Sequence, residues 1–139
     1  GRLCKDVPKE RVKDVIFGYT LANDVTSREL QKSDGQWTRA KGFDTFCPLG
    51  PWIETDFVPG TQRIYSEVNG EVKQDAHINE MIFGVEDIVV FVSQVMTLLP
   101  GDVIITGTPA GIGPMPERST VSVGVEGIGV LTNKVSAKP

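Results

Sequence analysis

The sequence has little cysteine and a single histidine. Its two cysteines, Cys4 and Cys47, are too few for a disulfide framework, and they have neither a CxxC spacing nor histidines beside them. A structural zinc site is therefore disfavoured, because such sites use four Cys or His ligands. Two reduced thiols are typical of a cytoplasmic protein, and that is the location that the sequence predicts.

An excess of positive charge and long apolar runs are also missing. The 14 Lys and Arg residues are outnumbered by 18 Asp and Glu residues, which gives a formal net charge of −4. This balance disfavours a nucleic-acid partner and attraction to anionic membranes. The longest strongly apolar run, residues 88–92, is far too short to span a bilayer. We therefore expect neither nucleic acid nor membrane as a partner.

The length of 139 residues suits one domain, residues 1–139. Asn69-Gly70 lies between two β-rich runs and predicts a hairpin. Residues 86–98 fit a strand or a helix, and their length and acidic start favour the helix. The prediction is an α+β fold, mostly β, with one main helix. Strands are predicted at residues 15–21, 63–68, 71–74, 103–106, 121–125 and 128–135.

Two other segments are predicted to be short or irregular. Thr26 or Ser27 is a suitable cap for a helix that continues through residues 31 and 32. Residues 33–61 are interrupted by Gly and Pro and predict a long irregular segment. Segments of that length in compact domains are often functional.

Asp24, Arg28 and Gln31 form the first candidate site. They stand at positions i, i+4 and i+7, so a helix over this segment would place them on one face. A carboxylate, a guanidinium and an amide on one face suit a divalent cation together with an anionic ligand. A solvated Asp–Arg ion pair on an exposed helix explains the same spacing.

Lys41 and Thr108 lie in two glycine-containing loops. Lys41 is a possible anion anchor, although exposed loop lysines are common. Thr108 lies in residues 106–111 (TGTPAG), where backbone N–H groups and a hydroxyl could approach a carboxylate. The loop lacks both the P-loop spacing and the GxGxxG fingerprint, so no motif there indicates a nucleotide site.

The one histidine, His77, follows the predicted hairpin in a polar stretch. This position favours a surface or structural role over general-base catalysis. Ser27 and Ser93 have no second histidine to complete a triad, so a Ser-His hydrolase is disfavoured.

Taken together, motifs along nearly the whole chain resemble the fumarylacetoacetate hydrolase family. The motifs occur in the order found in that family. They include residues 23–28 (NDVTSR), 41–46 (KGFDTF), 48–52 (PLGPW), 68–71 (VNGE), 99–102 (LPGD) and 106–111 (TGTPAG).

The resemblance implies a mixed β-roll and a site, dependent on Mg²⁺ or Mn²⁺, that handles small 2-oxo acids in aromatic catabolism. It implies Asp24 as a metal ligand and Thr45 as a residue near the metal. It also implies homodimers. The residues implied to bind substrate are Arg28, Gln31, Lys41 and Thr108, with Lys41 also implied as catalytic.

The resemblance covers the C-terminal, larger part of the family domain. A Glu-x-Glu metal motif and a lid with catalytic His and Glu precede this part in the family pattern. Hydrolysis, decarboxylation and isomerisation of acylpyruvates, oxaloacetate or hydroxy-diene-dioates share an enolate, so the motifs do not choose among them. The alternative is an inactive remnant of the fold that serves only in binding or assembly.

Overall fold

The computed structural model describes residues 1–136, and six strands dominate it. The strands are β1 (Tyr19–Ala22), β2 (Leu49–Glu54), β3 (Arg63–Val68), β4 (Glu71–His77), β5 (Thr120–Val125) and β6 (Gly129–Lys134). The helices are α1 (Arg28–Ser33), α2 (Thr38–Lys41) and α3 (Val85–Val95), with 3₁₀ turns at Lys9–Asp14 and Ile78–Glu80. The prediction of a mostly-β α+β fold with one main helix is confirmed.

The strands form two antiparallel sheets, one of two strands and one of four. The small sheet pairs β1 with β2, and the large sheet has the order β4-β3-β5-β6. β1 contacts β5 and β6, and β2 contacts β6, so the small sheet packs on the large one. Leu21, Val125, Ile128 and Leu131 are buried at this junction.

The β3–β4 hairpin turns where the sequence predicts it. Asn69 and Gly70 both have positive φ, 53° and 81°, as a type I′ turn requires. The Asn69 side-chain oxygen also accepts a hydrogen bond of 2.9 Å from the Thr120 N–H. The turn is therefore fastened to the start of β5, which pairs with β3.

A second core lies under α3. Val89 of α3 is buried against Val7 and Val12, and each buried Val contributes roughly 1.5–3 kcal/mol. The fully buried Ser93 accepts a bond of 3.0 Å from the Val7 N–H and fastens the N-terminal segment to the helix. The helical interpretation of residues 86–98 is thus confirmed over Val85–Val95. Within residues 1–136 we find no helix long and apolar enough to cross a membrane.

Three local predictions are wrong. The predicted strand at 15–21 begins only at Tyr19, because Val15 and Ile16 close the preceding turn onto the Val12 carbonyl and pack under α3. The segment 33–61 contains α2 and β2, and β2 tolerates Pro51 because among the described strands it pairs with β1 alone.

The third wrong prediction is the strand at 103–106. Ile104 packs into the α3 core, whereas Val103 and Ile105 are exposed. Among the described residues no strand lies beside this segment, so its backbone does not join a ladder.

Candidate functional site

Asp24 and Lys41 are in direct contact, with the Lys41 Nζ donating to the Asp24 Oδ2. Asp24 follows the end of β1, and Lys41 is the last residue of α2. Two backbone bonds hold these segments together: the Asn23 N–H donates to Pro48 O at 3.2 Å, and the Ser27 N–H to Ala40 O at 2.9 Å. The Lys41 side chain is 27% exposed and that of Asp24 45%, so the pair is accessible to a ligand.

Asp24 does not share a helix face with Arg28 and Gln31. Helix α1 begins at Arg28, and Ser27, one of the two predicted caps, stands at the N-cap position, but its side chain makes no capping hydrogen bond. Two local bonds turn the chain before it: Val25 N–H to Asn23 O at 2.9 Å, and Thr26 Oγ1 to Asp24 O at 3.0 Å. Such short-range bonds compete with helix formation. The three-residue face and the Asp24–Arg28 ion pair are therefore both wrong.

Arg28 and Gln31 do meet on α1. The Arg28 Nη1 donates to the Gln31 Oε1 at 2.7 Å, and Arg28 is exposed. Helices α1 and α2 contact each other, so this pair lies on the element next to Lys41. A guanidinium oriented by an amide is a suitable donor to a carboxylate ligand.

The loop after Lys41 has an unusual backbone. Thr45 and Cys47 are in the left-handed region, with φ of 68° and 58°. For residues other than Gly this conformation costs about 1–3 kcal/mol each and occurs often at functional sites. Thr45 therefore lies in a strained loop that begins at the Asp24–Lys41 pair, which agrees with a functional segment.

Thr108 is held by a different part of the fold. Its Oγ1 accepts a bond of 2.6 Å from the Gln74 Nε2 on β4, and the same nitrogen donates to Pro109 O at 2.8 Å. These bonds fix Thr108 to β4 and not to the Asp24–Lys41 pair. Gln74 is a residue to which our sequence analysis assigned no role, because 34 positions separate it from Thr108.

His77 and Ser93 are occupied elsewhere. The His77 Nδ1 forms a hydrogen bond of 2.9 Å with Thr61 O, and the Ser93 hydroxyl donates to Val90 O at 2.9 Å. Both contacts are structural ones. That His77 is not a catalytic base stays a prediction.

Asp34 makes a bidentate ion pair with Arg39. Arg39 donates two bonds, of 2.8 and 2.7 Å, to the two carboxylate oxygens. These bonds first, and then the Ser33 hydroxyl, lower the pKa of Asp34 below its ordinary value. The pair connects the end of α1 with α2.

The described residues supply part of a cation site. Asp24 offers the hard oxygen ligand that Mg²⁺ prefers. Within residues 1–136, however, no three His, Cys, Asp or Glu side chains come together as a metal cluster. The donor set therefore fits Mg²⁺ or Mn²⁺ at Asp24 only if other oxygen ligands complete it.

The family description "Fumarylacetoacetate (FAA) hydrolase C-terminal" matches residues 1–136. This match covers nearly the whole chain, so the chain belongs to the fumarylacetoacetate hydrolase family.

Three individual proteins show how similar this chain is to single members of the family. A Mycobacterium tuberculosis protein is 57% identical over 99% of this chain and 53% of its own length. The crystal structure of 2-hydroxyhepta-2,4-diene-1,7-dioate isomerase from Mycobacterium marinum is 59% identical with a TM-score of 0.97, over 99% of this chain and 55% of that one. Maleylpyruvate hydrolase from a Sphingobium species, solved with manganese(II) and pyruvate, is 34% identical with a TM-score of 0.89, over 98% and 50%. This chain thus spans about half the length of the relatives it matches.

Proposed function

We propose that this chain is part of an enzyme that cleaves or isomerises small 2-oxo acids of aromatic catabolism, with Mg²⁺ or Mn²⁺ as cofactor. Membership of the family supports an enzyme, and the similar solved proteins are named as an isomerase and a hydrolase of this kind. The single observation that carries the proposal is the contact between Asp24 and Lys41. This contact brings a carboxylate and an ammonium group together at one accessible point, which supports a site for a cation and an anionic substrate.

Each candidate residue has a defined part. Lys41 provides a positive charge beside the position of a substrate carboxylate or a developing enolate. Arg28, held by Gln31, binds a second anionic group of the substrate. The ammonium of Lys41 also lies 6.0 Å from the Trp37 ring centroid, within the range of a cation–π contact. Such contacts hold the charge in place before substrate arrives, and preorganised charge is a main source of rate enhancement.

Asp24 is proposed as one of the carboxylate ligands of the divalent cation, and Thr45 as a residue beside it. When bound, the cation supplies a Lewis acid for the keto and carboxylate oxygens of a 2-oxo acid. Thr108 is proposed to donate a hydrogen bond to the substrate. The location is proposed to be the cytoplasm, and the assembly a homodimer.

The test is turnover of oxaloacetate and acetylpyruvate with Mg²⁺ or Mn²⁺, in a form extended with the flanking sequence of the gene. Lys41→Met is expected to reduce kcat/KM by about 10²–10³-fold, the usual loss for a group that stabilises transition-state charge. Lys32→Met, on an exposed lysine of α1, is the matched control and should change little. Full activity of Lys41→Met would contradict the role of Lys41, whereas no activity in the parent protein would contradict the proposal and favour the inactive remnant.

A further inference from the structure

The amide of Gln74 forms a chain of hydrogen bonds between the large sheet and the Thr108 loop. The buried Ser66 on β3 donates to the Gln74 Oε1 at 2.9 Å. The Gln74 Nε2 donates to Thr108 Oγ1 at 2.6 Å and to Pro109 O at 2.8 Å. One side chain therefore contacts the sheet with its oxygen and the loop with its nitrogen.

The chemistry of these partners fixes the direction of every bond. The Pro109 carbonyl can only accept, so the atom facing it must be the Gln74 nitrogen. An amide nitrogen has two hydrogens and accepts none, so its second hydrogen goes to the Thr108 oxygen. The Thr108 hydroxyl therefore receives a bond from Gln74, and its own hydrogen must point elsewhere.

We infer that Gln74 is a positioning residue that makes the Thr108 hydroxyl a hydrogen-bond donor toward an anionic ligand. A carboxylate or keto oxygen only accepts, so an outward-facing hydroxyl hydrogen is the polarity that such a ligand needs. The inference rests on the proposed function, in which Thr108 contacts substrate. Thr108 itself is exposed, so the hydrogen is accessible.

The loop is also held close to β4 by its backbone. Gly111 has φ of +106°, and a Cβ there would lie 1.9 Å from the Lys73 carbonyl oxygen. Only glycine fits this approach, so the segment that carries Thr108 rests directly on the residue before Gln74. Gln74 consequently meets Thr108 in a fixed geometry.

Two measurements on the 139-residue chain test the inference. The first follows the two side-chain amide protons of Gln74 by NMR, with no ligand added. Both should be shifted and slow to exchange. Thr108→Val should shift one of the two proton signals, whereas Thr108→Ser should preserve it. Insensitivity of both signals to Thr108→Val would overturn the assigned polarity.

The second measurement is calorimetric titration with oxalate in the presence of Mg²⁺. Gln74→Glu keeps the shape of the side chain but turns the donor into an acceptor, which removes the bond to Pro109 O and pulls the Thr108 hydrogen inward. It should weaken oxalate binding by about 10-fold or more, as should Thr108→Val, because a bond to a charged group is at stake. The variant that combines Gln74→Glu with Thr108→Val should lose no more oxalate affinity than Thr108→Val alone. Gln94→Glu on α3, which adds the same charge at an exposed glutamine, should bind normally.

The outcomes separate the two hypotheses. If Thr108→Val loses oxalate affinity while Gln74→Glu binds oxalate normally, the inference is overturned and the substrate role of Thr108 stands. Normal binding in Thr108→Val overturns the substrate role of Thr108 and the inference with it, whereas no oxalate binding in the parent chain overturns the proposed function. If thermal unfolding shows that Gln74→Glu is not folded, Gln74→Met takes its place, and an unchanged affinity there overturns the inference.

Discussion

The carboxylate of Asp24 accepts a hydrogen bond from the ammonium of Lys41, although 17 positions separate the two residues in the chain. A cation that binds Asp24 therefore binds a carboxylate whose negative charge is partly offset by the neighbouring ammonium of Lys41. Lys41 opposes the cation electrostatically while it favours an anionic substrate. The two residues thus link metal binding and substrate binding at one point.

The first prediction concerns divalent-cation affinity measured by Mg²⁺ or Mn²⁺ titration calorimetry. Asp24→Ala should abolish whatever affinity the chain has. Lys41→Met should raise this affinity by about 2- to 5-fold, since removing a partly exposed opposing charge is worth a few tenths to 1 kcal/mol. Asp56→Ala, at an exposed loop carboxylate, is the control and should leave it unchanged. Equal losses in Asp24→Ala and Asp56→Ala would remove the special role of Asp24.

The second prediction is that His77 is dispensable for the chemistry. Its ring is engaged with the Thr61 carbonyl at the end of β4. His77→Asn should leave kcat/KM for oxaloacetate or acetylpyruvate within a few-fold, whereas a general base contributes about 10²–10⁴-fold. A loss of that size, in a variant with normal thermal stability, would make His77 a catalytic group.

Local signals in the sequence identify some of these features and miss others. The hairpin at Asn69 and Gly70 is predictable, because the turn needs only two adjacent residues that tolerate positive φ. The position of Asp24 is not, because bonds at Val25 and Thr26 keep the helix from starting before Arg28. The contact with Lys41 then fixes the Asp24 side chain from a distant part of the chain.

The same limit explains Asp34 and Gln74. Asp34 lies outside the family motifs and its sequence context predicts a solvated loop carboxylate, but Arg39 of the next helix, α2, binds it with two hydrogen bonds. Gln74 meets Thr108 only because the loop crosses β4. Partners that the tertiary fold brings together leave no periodic pattern in the sequence.

The third prediction concerns pH and the Asp34–Arg39 pair. The bonds from Arg39 lower the pKa of Asp34 in the folded chain below its ordinary value of 3.8. The unfolded chain therefore takes up the proton first as the pH falls, so the stabilisation is present above about pH 4 and is lost below it. The melting temperature of the parent chain should exceed that of Asp34→Asn at pH 6, and the difference should vanish at low pH.

The control for this prediction is Arg39→Gln combined with Asp34→Asn. Once Asp34→Asn has broken the pair, Arg39→Gln should change the melting temperature little further. The double variant should therefore follow the pH profile of Asp34→Asn. A constant difference between parent and Asp34→Asn from pH 6 to pH 2 would show that the pair does not contribute through ionisation.

The fourth prediction is that the chain self-associates, with a homodimer as the simplest form. Large apolar side chains are exposed, among them Ile82 at 94%, Phe83 at 68% and Phe91 at 67%. Within residues 1–136, β4 and β6 are the outer strands of the large sheet, and such edges favour pairing with another chain. Light scattering should give a molar mass above that of one chain and rising with concentration. A compact monomer at high concentration would contradict this.

The last prediction compares the 139-residue chain with a form extended by the flanking sequence of its gene. The described residues bring one candidate carboxylate, Asp24, to the site, and one carboxylate does not hold a cation in a single geometry, because Mg²⁺ gives up its waters reluctantly. Positioning and charge stabilisation are the main sources of rate enhancement here, and both need the cation and Lys41 at fixed positions relative to the substrate. The short chain should therefore turn over oxaloacetate and acetylpyruvate poorly or not at all, while the extended form is active and is inhibited by a chelator. Oxalate binding to the short chain should still be detectable through Arg28 and Lys41. Chelator-sensitive turnover by the short chain at the rate of the extended form would mean that Asp24 needs no further ligands, or that a second copy supplies them.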